Sequence, residues 1–334
     1  MNNYGISIII CVHNAGEKIT PTLKSIAGQN VPINVPCELL IIDNACSDNT
    51  IAIAKEFWNG IDPIIPMEIL SEPRQGKANA LITGYNNASY ELMLVCDDDN
   101  WLRPDYLKIV DELFRKYPKI GLLGGYGKAL LNTVDKPNWF SRWENCYACG
   151  KHHKYNGFLD QKDFSIWGAG SVIRKKMWDF LRTNGFKFSS SIGSGKAITE
   201  DAELSLAVSF TGHRLYFDDR LWFTHDLRGG RVSWEGLLNQ QIENGKNNAT
   251  LYTYLLTYNS LTKHRISYQF MFVMTMLNLC WSLGKSILKP NNKPRRLFLK
   301  HILLELFFHQ KKYKQLNRDS YAWISKISNS YPLN

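Results

Sequence analysis

Four apolar runs alternate with helix-period segments in the first hundred residues, and that alternation sets the class of fold open to the chain. Ile6–Val12 (Ile-Ser-Ile-Ile-Ile-Cys-Val) is a continuous β-branched run, as a strand buried on both faces requires. Helical spacing over Thr20–Gln29 follows, then a second buried run at Glu38–Asp43 and a helix over Asn49–Trp58 behind a Ser47/Asp48 start signal. Ile64–Leu70 is a weaker third strand, interrupted by Pro66; Gly76–Asn87 reads as a helix and Tyr90–Cys96 as a fourth strand. This βαβαβαβ order predicts an α/β fold with a doubly wound, mostly parallel sheet.

Ligands of such sheets lie outside the carboxyl ends of the strands. The polar residues of this chain collect there: His13-Asn14 after strand one, Asp43-Asn44 after strand two, Asp97-Asp98-Asp99-Asn100 after strand four. A helix is expected at Asp105–Lys116 and a strand at Ile120–Gly124, then irregular chain from Tyr126 to Phe164, a length of loop that inside a domain is usually functional. Ordered segments return at Ser165–Arg174, in helices over Lys175–Asn184 and Glu200–Thr211, and in two strands, Arg214–Asp218 and Leu221–His225. Everything beyond Trp234 reads helical. The expected division is 1–110 and 111–235 as two halves of one domain, with 236–334 as a helical extension.

Three adjacent carboxylates at the mouth of an apolar strand repel one another unless a cation offsets their charge. Asp97 and Asp99 point to the same side of an extended segment, so they can share Mg²⁺ or Mn²⁺, which would bridge to a diphosphate; a solvated acidic turn would look the same. Asp43 is a candidate acceptor for a nucleobase N–H or ribose hydroxyls, although Asp43 and Asp48 could merely start the next turn and helix. Lys77, at a helix start after Pro73-Arg74-Gln75-Gly76, suits an anion, although a plain loop-to-helix start would look the same.

Thr199-Glu200-Asp201-Ala202-Glu203 forms a second acidic site. Asp201 is the candidate general base and Glu200 the alternate; the competing reading makes Thr199 a cap and the acids partners of the helix dipole. His225 could complete a metal shell with Asp97 and Asp99, and Arg231 could hold a departing diphosphate. Cys146-x-x-Cys149 with His152 and His153 lacks a second ligand pair at finger-like spacing, so no structural zinc is expected.

Taken in order, these segments resemble the family-two glycosyltransferases of the GT-A fold. Ser7–Asn14 resembles the family's opening strand. Glu38–Thr50 is similar to its "VDNGSTDGT" segment, with Ala45 and Cys46 in place of Gly-Ser, and Gln75–Leu81 to its "GKAxALN" stretch. Asp97-Asp98-Asp99 with Trp101 and Pro104-Asp105 resembles its DxD motif, Thr199–Leu204 its base-bearing "EDxEL", and His225 with Arg231 its late histidine motif. The resemblance covers residues 5–235. It implies an inverting transfer from a nucleotide sugar, often a UDP-sugar, with Asp43 near the base, Asp99 and Asp97 on the metal, and Asp201 as base. Together with the readings above, the candidate donor residues are Asn14, Asp43, Lys77, Asp97, Asp98 and Arg231, and the candidate ligands of Mn²⁺ or Mg²⁺ are Asp97, Asp99 and His225. The Gln-x-x-Arg-Trp motif and the many membrane helices of processive members are not apparent, so addition of a single sugar to a glycan or polyprenyl-linked hydroxyl is expected.

The charge is uneven. Of the net +10, an excess of +11 lies between Ser260 and Asn334, where 13 Lys/Arg meet two acidic residues. That asymmetry points to an anionic surface, lipid headgroups or nucleic acid. Ile266–Gly284 has 19 residues without a charge but several polar ones, and Leu297–Phe308 is also apolar-rich. Their basic flanks suit helices lying in the headgroup region, so peripheral membrane contact is expected and a nucleic acid partner is not; packing on the domain, a dimer seam, or a true span by residues 266–284 are the alternatives. Seven scattered cysteines and no charged, apolar leader predict a reducing, cytoplasmic location. The rival readings are a sugar-nucleotide nucleotidyltransferase, which would be expected to carry a Gly-rich phosphate loop where this chain has His13–Glu17, and a non-catalytic membrane- or RNA-binding protein, which gives no reason for two acidic sites.

Overall fold

The four apolar runs become four neighbouring strands, all parallel. The computed structural model describes residues 3–131, 136–160, 165–189, 199–228, 232–262, 268–289 and 292–330. They form two compact units, 1–180 with 213–229 and 181–212 with 230–334.

In the first unit β1 (Ile6–Val12), α1 (Ile19–Ala27), β2 (Cys37–Asp43), α2 (Thr50–Asn59), β3 (Met67–Ser71), α3 (Lys77–Asn87) and β4 (Leu92–Asp97) follow the expected alternation. Ile6, Ile8, Ile9 and Ile10 are fully buried, as are Leu39 to Ile42 on the neighbouring strand. Both faces of the sheet are therefore covered, and each such side chain contributes roughly 1.5–3 kcal/mol through its burial. β5 (Asn100–Leu102), α4 (Tyr106–Lys116), β6 (Ile120–Leu130), α5 (Phe140–Trp143), β7 (Gly157–Phe158), β8 (Val172–Arg174), α6 (Lys175–Thr183) and β9 (Arg214–Asp226) complete the sequence of elements; the boundary between the units falls within α6. The order across the sheet is β3-β2-β1-β4-β8-β6-β9-β5, with β7 on β9. β8 runs antiparallel to both β4 and β6, whereas β6 and β9 run parallel along most of their length. The fold is the α/β, mostly parallel type expected, with a helical region C-terminal to it in the chain.

Three local expectations change. β5 is a strand that the sequence did not announce. The two strands expected at Arg214–Asp218 and Leu221–His225 are one: Asp218 is buried and pairs with Arg220, which also reaches Glu112, so charge passes through the strand without breaking it. β6 runs on to Leu130 because Gly125 lets β9 close in; a Cβ there would sit 1.5 Å from the Leu221 carbonyl oxygen.

The second unit is helical: α7 (Glu200–Phe210), α8 (Trp234–Thr262), α9 (Tyr268–Ile287), α10 (Lys293–Phe308) and α11 (Gln310–Ser330). Ala249, Leu279, Leu299, Ile302, Leu306 and Tyr313 form one core, and Trp323 meets Phe186, Phe210 and Tyr254 in an aromatic cluster. Residues Gln269–Ile287, with mean hydropathy 1.3, are long and apolar enough to cross a membrane by length and composition, and only 11% of that window is buried.

Candidate active site

The strand order reverses at β1, which has β2 on one side and β4 on the other. In such sheets the crevice beyond the carboxyl ends at this point is where ligands bind. Val12 pairs with Asp43 and Cys11 with Asp97, so two of the predicted acids flank the end of β1 at neighbouring levels.

The loops here are tied by side chains rather than by regular structure. Asn14, with φ +54°, accepts at Oδ1 from the Ser47 N–H (2.8 Å) and the Asp48 N–H (3.3 Å), linking the turns after β1 and β2. Asp43 accepts the Cys46 N–H at 2.9 Å, which closes a turn through Ala45 at φ +56°. Asn44 is buried: its Nδ2 donates to the Glu72 and Arg74 carbonyls (3.0 and 2.7 Å) and its Oδ1 accepts the Gly76 N–H at 2.8 Å. Asn44 thereby positions the start of α3, and Gly76, at φ +121°, holds a backbone that a side chain would strain. Arg74 makes a two-pronged ion pair with Glu72, at 2.8 Å for each prong, and holds that carboxyl down to about 2, while its guanidinium stays largely exposed. Neither Asn44 nor Arg74 was a predicted site residue. A polar residue directly after an apolar strand was the available signal for Asn44.

Lys77, at the first position of α3, donates to Oδ1 of Asp97 at 2.6 Å. The predicted anion-binding lysine and the predicted metal-binding aspartate thus meet. Asp98 accepts at its main-chain oxygen from Thr22 Oγ1 (2.8 Å), and its carboxylate is half-buried.

Asp99 and His225 form the most constrained pair. Both are buried, at 6% and 9% exposure, and Nε2 of His225 stands 3.5 Å from Oδ1 of Asp99. Nδ1 of the ring lies 2.8 Å from the Tyr147 carbonyl oxygen, which can only accept, so Nδ1 carries a hydrogen. In the neutral ring the Nε2 lone pair then faces a carboxylate, an arrangement that calls for a positive charge between the two. The Cys149 thiol lies 3.9 Å from the same Nδ1; burial raises it to about 12, so it remains a neutral neighbour. Asn100 stands directly opposite His225 in the β5–β9 pairing and shares its face. Its side-chain amide is fully buried and has no hydrogen-bond partner among the described residues.

This donor set fits a hard divalent cation: one carboxylate and one imidazole with its tautomer fixed from behind, beside an amide with unfilled capacity. Among the described residues no three His, Cys, Asp or Glu side chains already converge as a complete shell. Asp97, engaged by Lys77, does not stand with Asp99 and His225 in one. Arg231 lies outside the described residues.

In the second unit Glu200 and Asp201 open α7, in the first turn of the helix. Asp201 is half-buried and accepts the Ala202 N–H at 2.7 Å. Thr199 stands at the cap position, but its hydroxyl donates to Glu203 at 3.1 Å instead of capping the helix. Glu203 is fully buried and also accepts from the Ser189 N–H (2.8 Å) and hydroxyl (2.7 Å); burial is the main cause that pushes its carboxyl up to about 7, with the Glu200 charge adding to it.

Comparison with known proteins bears on this site. The chain is 34% identical over 122 residues to the poly-beta-1,6-N-acetyl-D-glucosamine synthase of Staphylococcus epidermidis, an alignment covering 36% of this chain and 28% of that protein. The synthase of that name from Staphylococcus aureus strain COL is 29% identical over 121 residues. The chain therefore matches less than a third of the length of these curated relatives. Among solved structures, S. aureus TarS residues 1–349 in complex with UDP-GlcNAc superposes with a TM-score of 0.52 at 14% identity, over 98% of this chain and 91% of that one. Mannosyltransferase PcManGT from Pyrobaculum calidifontis, in complex with GDP-Man and Mn²⁺, gives 0.53 at 14% identity, over 98% and 88%. At that identity these likenesses speak for the fold. The profile of Glycosyl transferase family 2 matches residues 7–180, just over half of the chain and every strand from β1 to β8. On that match this chain belongs to Glycosyl transferase family 2.

Proposed function

We propose that the protein transfers a single sugar from a nucleoside-diphosphate sugar, a UDP-sugar in the first instance, to a hydroxyl of a glycan or lipid-linked acceptor, with inversion at the anomeric carbon. The observation that carries this reading is the buried Asp99–His225 pair beside the Lys77–Asp97 pair, at the strand ends of a family-two glycosyltransferase. The named activities of relatives favour the donor: the synthases it resembles make an N-acetylglucosamine polymer, and TarS is a fold neighbour solved with UDP-GlcNAc. A divalent ion is in keeping with the Mn²⁺ of PcManGT.

Asp43 would accept from the base or ribose, and Asn14 would keep the adjoining turn in shape. Asp99 and His225 would hold Mn²⁺ or Mg²⁺, with Asp97 and Asp98 nearby. When bound, the ion would neutralise the charge that grows on the leaving diphosphate. Lys77 is within reach of Asp97 and would shift its ammonium towards the diphosphate oxygens. Asp201, with Glu200 as alternate, would take the acceptor hydroxyl's proton as that oxygen attacks the anomeric carbon opposite the diphosphate, so that the glycosidic bond forms as the sugar–phosphate bond breaks. Residues 1–110 would then serve the donor, 111–235 the acceptor, and 236–334 a membrane surface at its cytoplasmic face.

Incubation with UDP-GlcNAc and a panel of other nucleotide sugars, with Mn²⁺, tests the reading by release of nucleoside diphosphate. Release that Asp99→Ala abolishes supports it. Production of pyrophosphate from a nucleoside triphosphate and a sugar phosphate would point to a nucleotidyltransferase, and no turnover with any donor would sink the enzymatic account.

A further inference from the structure

An apolar stripe runs along the exposed side of α9, between exposed polar residues such as Gln269 and Asn278. Phe270, Val273, Met274, Leu277 and Trp281 are 50–65% exposed and recur at helical spacing on one stripe, while Leu279 faces the core. A soluble surface rarely leaves so continuous an apolar strip uncovered. Lys285 lies over the Trp281 ring at 4.7 Å, an arrangement suited to a boundary between oil and charged headgroups.

Beside the stripe, α9 and α11 enclose a groove of about 690 Å³ within the second unit. Phe272, Val273 and Tyr313 supply its apolar wall, and Lys314 and Arg318 its charged rim. Both basic side chains are exposed, and neither has an ion-pair partner among the described residues. None of the described residues that line the groove is a carboxylate. Apolar wall, cationic rim and open apolar stripe together match one molecule with an anionic head and hydrocarbon tails. A volume of this order accommodates a small amphiphile's head and the beginning of its chains.

We propose that this groove seats one anionic phospholipid of the membrane surface, its phosphate between Lys314 and Arg318 and its acyl chains running past Phe272 and Val273 along the α9 stripe. This rests on the membrane-surface part of the function proposed above and adds a specific seat to it. A second copy of the chain is a poorer occupant, because the region from Ser260 onwards has 13 basic against two acidic residues and would repel itself.

The full chain is floated with vesicles of pure phosphatidylcholine and of phosphatidylcholine and phosphatidylglycerol in equal parts. Binding to the mixed vesicles is expected to fall about fivefold for Lys314→Gln or Arg318→Gln and about thirtyfold for the pair. Leu277→Ser with Trp281→Ser is expected to abolish it. Equal binding by the parent and the Lys314→Gln, Arg318→Gln pair would overturn the groove while leaving surface association intact. No flotation of the parent would overturn both. A dimer in sedimentation that Trp281→Ser disperses would assign the stripe to a second copy and overturn the lipid seat. Nucleoside diphosphate release in the absence of vesicles is expected to be unchanged in all these variants, which separates this result from the sugar-transfer reading.

Discussion

Nε2 of His225 faces Oδ1 of Asp99 across 3.5 Å, and the opposite ring nitrogen is fixed on the Tyr147 carbonyl. An imidazole held in this way cannot turn its hydrogen towards the carboxylate while neutral. A positive charge is therefore the missing third member of the pair. With a divalent ion in that role, as proposed above, His225→Ala removes a ligand and is expected to weaken Mn²⁺ binding by at least the roughly 10- to 100-fold that loss of an outer-shell partner costs. Mn²⁺ titration followed by electron paramagnetic resonance reads this without turnover, and unchanged affinity would remove His225 from the metal site.

Asp201→Asn keeps the shape of the first turn of α7 and removes its basicity. The expected result is a fall in kcat of about 10²–10⁴ with little change in donor KM. Should Glu200→Gln produce the larger loss in parallel assays, the roles of the two acids are exchanged.

Glu203 links stability to pH. Its carboxyl is held at about 7 in the folded chain, against an ordinary value of 4.5, chiefly by burial. The folded state therefore keeps the proton more tightly than the unfolded chain does. Its contribution to stability is complete below about 4.5 and is lost as the pH climbs through about 7, a swing of roughly 3 kcal/mol. Glu203→Gln keeps a neutral hydrogen-bonding group in place, so thermal melts between these limits are expected to lose that downward slope. A variant whose melting temperature falls as steeply as the parent's would contradict the assignment.

Ala45 sits at φ +56°, where its Cβ crowds the following carbonyl at a cost of about 1–2 kcal/mol. Glycine avoids that strain but gains freedom when unfolded, about 0.4–1 kcal/mol in the other direction. Ala45→Gly is thus expected to stabilise the protein by a few tenths up to about 1 kcal/mol, read from denaturant midpoints at constant slope. A destabilised variant would show that the turn relaxes around alanine.

The parallel half of the sheet was readable because β1, β2 and β4 are covered on both faces and so carry unbroken apolar runs. α4 was readable because Leu107, Val110, Leu113 and Phe114 keep helical period against charged neighbours. β5 was not, since three residues are too few to display a period and Asn100–Leu102 is a strand only because β9 lies beside it. Within the site, the strand mouths announced Asp43, Asp97 and Asp99. For the join between Asp99 and His225 the sequence offered only a histidine at a strand mouth after the second acidic site, because the contact itself depends on the register of two strands far apart in the chain. The Lys77–Asp97 contact was hidden for a similar reason: each residue suggested a ligand of its own, and the fold pairs them. The Tyr147 carbonyl that fixes the His225 ring left no trace in the sequence, since every residue has one.

The short β5 has a bearing on how tightly the acidic turn can hold an ion. Asp97 ends β4, Asn100 begins β5, and the Asp99 carbonyl accepts the Asp226 N–H at 2.9 Å. The three aspartates are thereby clamped between two strands with almost no slack, and Lys77 offsets the charge of the first. The entropy of ordering such a turn was spent during folding, so a cation seated between Asp99 and His225, as proposed, would have little of the turn left to order and would keep more of what charge neutralisation gains as affinity.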